Sequence, residues 1–108
     1  MAAALAPDIV DRAVALLRDA ANPRRILVFG SHARGEARAG SDLDLVVVER
    51  DVHDRRAEMV RLMDALRPLR VPVDLLVVTE RELRDWSEIP GSVLHAATTE
   101  GRTVYEAA

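Results

Sequence analysis

Three short apolar runs, at residues 26–29, 43–48 and 71–78, leave this chain the fewest options. Each is too short to form a helix buried on all sides, and each is rich in the branched residues that suit strands. Gly30 closes the first, Ser41 and Asp42 precede the second, and Pro72 stands near the head of the third. They read as buried strands, since a proline near a strand's beginning removes an N–H that pairing there does not need.

The intervening segments carry helical spacing. Pro7 and Asp8 open a first helix, with Asp8 the expected N-cap, and Ile9, Ala13, Leu16, Leu17 and Ala20 fall on one face before Asn22 and Pro23 stop it. A second amphipathic segment, about 55–66, places Met59, Leu62, Met63 and Leu66 on one face and ends at Pro68. The Met59 and Met63 pair is expected to face the core. Thr79 followed by Glu82 is a capping-box pattern for a helix to about Trp86, a residue expected in the core, with an interface anchor as the other reading. Ser92 is the expected cap of a last helix through Ala97, Gly101 breaks it, and residues 103–105 suit a short edge strand. The stretch after Gly30 reads as a short helix or turn leading to Gly40. Alternating helices and strands predict the α/β (α+β) class, a small buried sheet covered by helices.

A length of 108 residues, 49% of them hydrophobic, predicts one compact domain over residues 1–108. No cysteine is present, which excludes disulfides and thiolate zinc sites and suits a reducing cytoplasm. Residues 1–6 are small and apolar but lack a basic start and an adequate apolar core, so no signal peptide is expected. No apolar run approaches the roughly 20 residues that span a bilayer, so no membrane partner is expected. A net charge of −3 with 3% aromatic residues argues against a general nucleic-acid binder.

The chemistry concentrates where carboxylates interrupt the apolar runs. Residues two apart on a strand share a face, about 6.5 Å apart, so Asp42 and Asp44 converge while Leu43 and Leu45 enter the core. Paired charges beside Val46, Val47 and Val48 repel unless a cation lies between them, and a hard divalent ion with oxygen ligands, magnesium, meets that need. Asp74, between Val73 and Leu75, repeats the pattern on the next run. Three carboxylates on neighbouring strands suit two metal ions about 3.5–4 Å apart, with Asp74 a candidate general base if part of its carboxylate stays free of metal. Gly30 and Ser31, ending a strand before a helix, permit close backbone approach and offer N–H groups and a hydroxyl to phosphate oxygens. Arg34 is the candidate for a charge-assisted contact to a triphosphate. The P-loop lysine pattern is absent. Each feature alone has a plainer reading: an N-cap at Asp42, a strand end at Asp44, a solvent-facing edge carboxylate at Asp74, an ordinary turn at Gly30. Their conjunction favours the metal site. His32, His53 and His95 read as surface or ordinary polar positions.

These residues resemble the nucleotidyltransferases of the DNA polymerase beta-like superfamily, whose signature is Gly-Ser, ten residues, Asp-x-Asp and a later carboxylate. Here ten residues separate Ser31 from Asp42-Leu43-Asp44, and Asp74 stands in Val-Asp-Leu-Leu. The wording Gly-Ser-His-Ala-Arg-Gly-Glu-Ala, Ser-Asp-Leu-Asp-Leu and the closing Ile-Pro-Gly-Ser-Val-Leu with Glu-Gly-Arg-Thr-Val-Tyr-Glu resembles the minimal nucleotidyltransferases, the MntA-like antitoxins. His32 departs from the arginine many relatives have there. The resemblance implies a small mixed sheet flanked by helices, and a partner HEPN-domain ribonuclease toxin in a hetero-oligomer. It also implies transfer of AMP from ATP to a toxin tyrosine, with magnesium. By the same likeness Gly30 and Ser31 hold the triphosphate, Asp42 and Asp44 bind metal, and Asp74 completes the carboxylates. Two other functions fit the residues: an antitoxin that neutralises by binding alone, and a transferase acting on an aminoglycoside-like small molecule.

Overall fold

The computed structural model describes residues 5–37 and 41–107; the turn expected at Gly40 lies outside the described residues, as do residues 1–4 of the N-terminal stretch. Four helices and four strands follow one another: α1 (Leu5–Ala20), β1 (Arg25–Phe29), β2 (Leu43–Glu49), α2 (Arg55–Ala65), β3 (Val73–Thr79), α3 (Glu80–Ser87), α4 (Val93–Glu100) and β4 (Arg102–Glu106). A single 3-10 turn, Gly30–His32, follows β1, and another, Arg67–Leu69, follows α2. The first helix starts earlier than expected, so Asp8 lies within it rather than capping it. The other caps form as the local chemistry dictates. Thr79 and Glu82 close a reciprocal capping box on α3, Asp54 accepts from the Ala57 N–H at the head of α2, and the Ser92 hydroxyl accepts from the His95 N–H.

The strands form one mixed sheet in the order β3-β2-β1-β4, with β2 and β3 parallel and the other pairs antiparallel. Residues 103–105 thus lie on an edge strand, as the sequence predicts. Both sheet faces are covered, which is why the strands are apolar on both sides. On one face α1 and α2 bring Ala13, Leu17, Leu62 and Leu66 against Ile26, Val28, Leu43, Leu45, Val47 and Val77. On the other, Leu83 of α3 and Leu94 and Ala97 of α4 pack on Leu27, Val46, Val48 and Val78. Gly101 is required where α4 turns into β4: a Cβ there would sit 2.3 Å from the Ala97 carbonyl and 2.7 Å from that of Val28.

Two hydrophobic residues expected in the core lie outside it. Met63 is 40% exposed and Trp86 52% exposed. The α2 stripe that the sheet covers is narrow, centred on Leu62 and Leu66, and Met63 is one residue, about 100°, round the helix from Leu62. Met59 sits half-buried at the margin of that stripe. In α3 only Leu83 is buried, and Trp86 faces outward beside the α3–α4 connection.

Candidate active site

The site is built at one end of the sheet, where β1 finishes and β2 and β3 begin. The antiparallel register sets Phe29 opposite Asp44, so Gly30 follows directly beside that aspartate. The parallel register sets Asp44 level with Asp74. Neighbouring strands lie about 4.8 Å apart, and paired residues point to the same face, so the two carboxylates project side by side. That face is the one covered by α3 and α4, since Val46, Val48, Leu76 and Val78 alternate onto it. Leu43, Leu45 and Val47 point the other way and are fully buried, as the spacing requires.

Gly30 has φ +72, a left-handed conformation that glycine adopts without strain. A Cβ on Gly30 would stand 2.3 Å from Oδ2 of Asp44. The missing side chain is the space in which the Asp44 carboxylate lies. Ser31 is half-buried in the 3-10 turn, whose backbone is tied by the Ala33 N–H to the Gly30 carbonyl at 3.1 Å and the Glu36 N–H to the Ser31 carbonyl at 2.9 Å.

Asp44 is half-buried, and its carboxyl is held above the ordinary value, first by burial and then by the negative charges of Asp74 and Asp42; His32 and Arg34 oppose the rise. The three sequence-predicted acids therefore share one electrostatic neighbourhood. Asp44 and Asp74 are joined by strand pairing, whereas Asp42 is exposed on the connection just before β2. Among the described residues, no three acidic or histidine side chains close into a tight cage. The donor chemistry nonetheless fits magnesium: oxygen ligands alone, crowded like charges, and a glycine that makes room for one of them.

Arg34 is exposed and engaged with Glu36, its Nε donating to Oε1 at 2.8 Å. To contact a triphosphate it has to leave that partner. His32, expected at the surface, is half-buried, with both ring nitrogens out of solvent and without a hydrogen-bond partner among the described residues. Its position directly after Ser31 was the available signal. His95 is an ordinary polar residue, its Nδ1 2.7 Å from the Ser87 carbonyl oxygen. A further carboxylate group lies at the far end of β2, where Glu49 meets Glu58 and Arg61 of α2.

Residues 12–108 match the family described as Polymerase beta, Nucleotidyltransferase. The chain belongs to the polymerase beta nucleotidyltransferase family. Solved structures of this fold that resemble it include a toxin–antitoxin crystallised with AMP-PNP, 25% identical, aligned over 90% of this chain and 73% of that one with a TM-score of 0.65. A crystallised toxin–antitoxin of MntA–HpeT is 25% identical over 90% of this chain and 72% of that one, with a TM-score of 0.64. A Shewanella oneidensis structure, described as tri-AMPylated HEPN toxin in complex with MNT antitoxin, is 22% identical over 94% of this chain and 73% of that one, with a TM-score of 0.62. Comparison with curated proteins finds no match. The mixed sheet with flanking helices is the architecture that the resemblance implies. Among the described residues, no helix is long and apolar enough to cross a membrane.

Proposed function

We propose that this nucleotidyltransferase is an antitoxin that moves AMP from ATP to a tyrosine hydroxyl of a partner HEPN ribonuclease toxin. The observation that carries the reading is the level pairing of Asp44 with Asp74 beside the side-chain-free Gly30. Support for the partner comes from likeness: the structures it resembles include a toxin–antitoxin with AMP-PNP and an AMPylated HEPN toxin bound to an MNT antitoxin. The pair is a hetero-oligomer that works in the cytoplasm.

In this reading Gly30 and Ser31 hold the triphosphate, with Arg34 recruited from Glu36. The tyrosine oxygen forms a bond to the α-phosphorus, the bond from that phosphorus to the bridging oxygen breaks, and pyrophosphate leaves with the electron pair. The phenolic proton passes to Asp74, which is exposed at the head of β3. Asp42, Asp44 and Asp74 would hold magnesium, as two ions, which when bound would neutralise charge on the phosphate oxygens. Burial and acidic neighbours push Asp44 toward its protonated form, and a positive charge there would favour its carboxylate.

Incubation of the chain with α-labelled ATP, magnesium and its HEPN partner tests the proposal. Label is expected on a partner tyrosine, and the joint Asp42→Asn and Asp44→Asn variant is expected to lose it by about 10³-fold or more. Neutralisation of the partner by that variant, with no modified tyrosine in either case, would instead select an antitoxin that acts by binding alone.

A further inference from the structure

Asp74 continues into an apolar shelf. Asp74, Leu76 and Val78 alternate onto one face of β3, so Leu76 lies one step, about 6.5 Å, along the strand from the carboxylate. A cavity of about 250 Å³ opens there, lined by Leu76, Val78, Leu94, Trp86 and the Arg55–Glu82 pair. Beyond its rim Trp86, Ile89 and Val93 are 52%, 45% and 56% exposed, a run of large apolar side chains along the α3–α4 connection. β3 is an edge strand of the sheet, so among the described residues no further strand covers this side.

The sheet order decides which reactant comes here. Gly30 and Ser31 follow β1, Asp44 is on β2, and Asp74 is on the outer strand β3. With the triphosphate on the β1 side, a group that attacks opposite the departing pyrophosphate approaches from the β3 side. The lining then selects its chemistry. Arg55 and Glu82 satisfy each other, with Nη2 2.5 Å from both carboxylate oxygens, and the remaining walls are apolar. A polycationic sugar finds no surplus of acid on this shelf, whereas the apolar side chains around a polypeptide's acceptor residue find matching surface and an indole N–H.

Resting on the reading that the acceptor is a protein, we propose that Trp86 and Leu76 form its docking shelf, which delivers the acceptor hydroxyl to Asp74. The other exposed apolar group, Val60 and Met63 on α2, lies on the helix that covers the opposite sheet face, away from Asp44 and Asp74.

Trp86 is the chain's single tryptophan, so fluorotryptophan incorporation gives one fluorine reporter at the shelf. The probe is the HEPN partner of the proposed function, added to the wild type and to the joint Asp42→Asn and Asp44→Asn variant, with complex formation followed by gel filtration. The fluorine resonance is expected to shift in both complexes. In steady-state transfer, Trp86→Ala is expected to raise KM for the HEPN protein about tenfold with kcat within about threefold, and Val60→Ala to leave KM unchanged. An unshifted resonance in a formed complex, or equal KM changes for both variants, overturns the shelf. A shifted resonance without AMP transfer by the wild type overturns the transferase reading and, with it, delivery of an acceptor hydroxyl to Asp74, leaving Trp86 a contact for the HEPN protein alone. Absence of any complex overturns both.

Discussion

Gly30 and Asp44 depend on each other. Gly30→Ala adds a Cβ at a positive φ and within 2.3 Å of Oδ2 of Asp44, so both the turn and the carboxylate have to move. The expected loss is about 1–2 kcal/mol of stability, read by urea denaturation, together with loss of AMP transfer. A second residue-scale prediction concerns Glu49, which ends β2 and carried no expectation from the sequence. Burial first, then the hydrogen bond to and charge of Glu58, push its carboxyl from 4.5 up to about 7, while Arg61 and Glu49 hold Glu58 below its ordinary value. Between 4.5 and about 7 the folded chain keeps a proton on Glu49 that the unfolded chain has released. Glu49 therefore withdraws stability as pH rises through that window; Glu58 acts oppositely, losing its contribution as pH falls through its lowered value. Glu49→Gln is expected to melt higher than the wild type at about pH 8, with the gap narrowing toward about pH 5.5. An equal offset at both pH values would contradict the assignment.

At the scale of elements, α3 holds the approach to Asp74 in place. Its capping box joins the end of β3 to the helix, and Arg55 ties both to α2, donating from Nε to the Val77 carbonyl at 3.1 Å and from Nη2 to Glu82. Thr79→Ala is expected to cost about 1 kcal/mol in chemical denaturation, and Thr79→Ser to restore most of it. Gly101→Ala, which drives a Cβ into two backbone carbonyls, is expected to destabilise by about 1–3 kcal/mol. Much of this level is readable from the chain because its signals are local. The capping box at Thr79, the cap at Ser92, the break at Gly101 and the three apolar runs each declare themselves within a few residues. Burial of Met63 and Trp86 was not readable, because helical spacing names a face without saying how much of it a neighbour covers. The level pairing of Asp44 with Asp74 is also non-local: spacing placed both on strands, but only the sheet's register brings them together.

In the whole molecule, the sheet order β3-β2-β1-β4 gathers at one end a glycine turn, a half-buried aspartate and an exposed one. Family membership explains why that end matters, and β3, an edge strand, leaves a side open to the protein acceptor proposed above. The central claim is that this end breaks ATP between the α-phosphorus and the β-phosphate's bridging oxygen. ATP labelled at the α-phosphate with one isotope and at the γ-phosphate with another distinguishes this directly, in the presence of magnesium and the HEPN protein. The account predicts α-label on the HEPN protein and γ-label in pyrophosphate. γ-Label on the protein, or neither label there while the complex is intact, would contradict it.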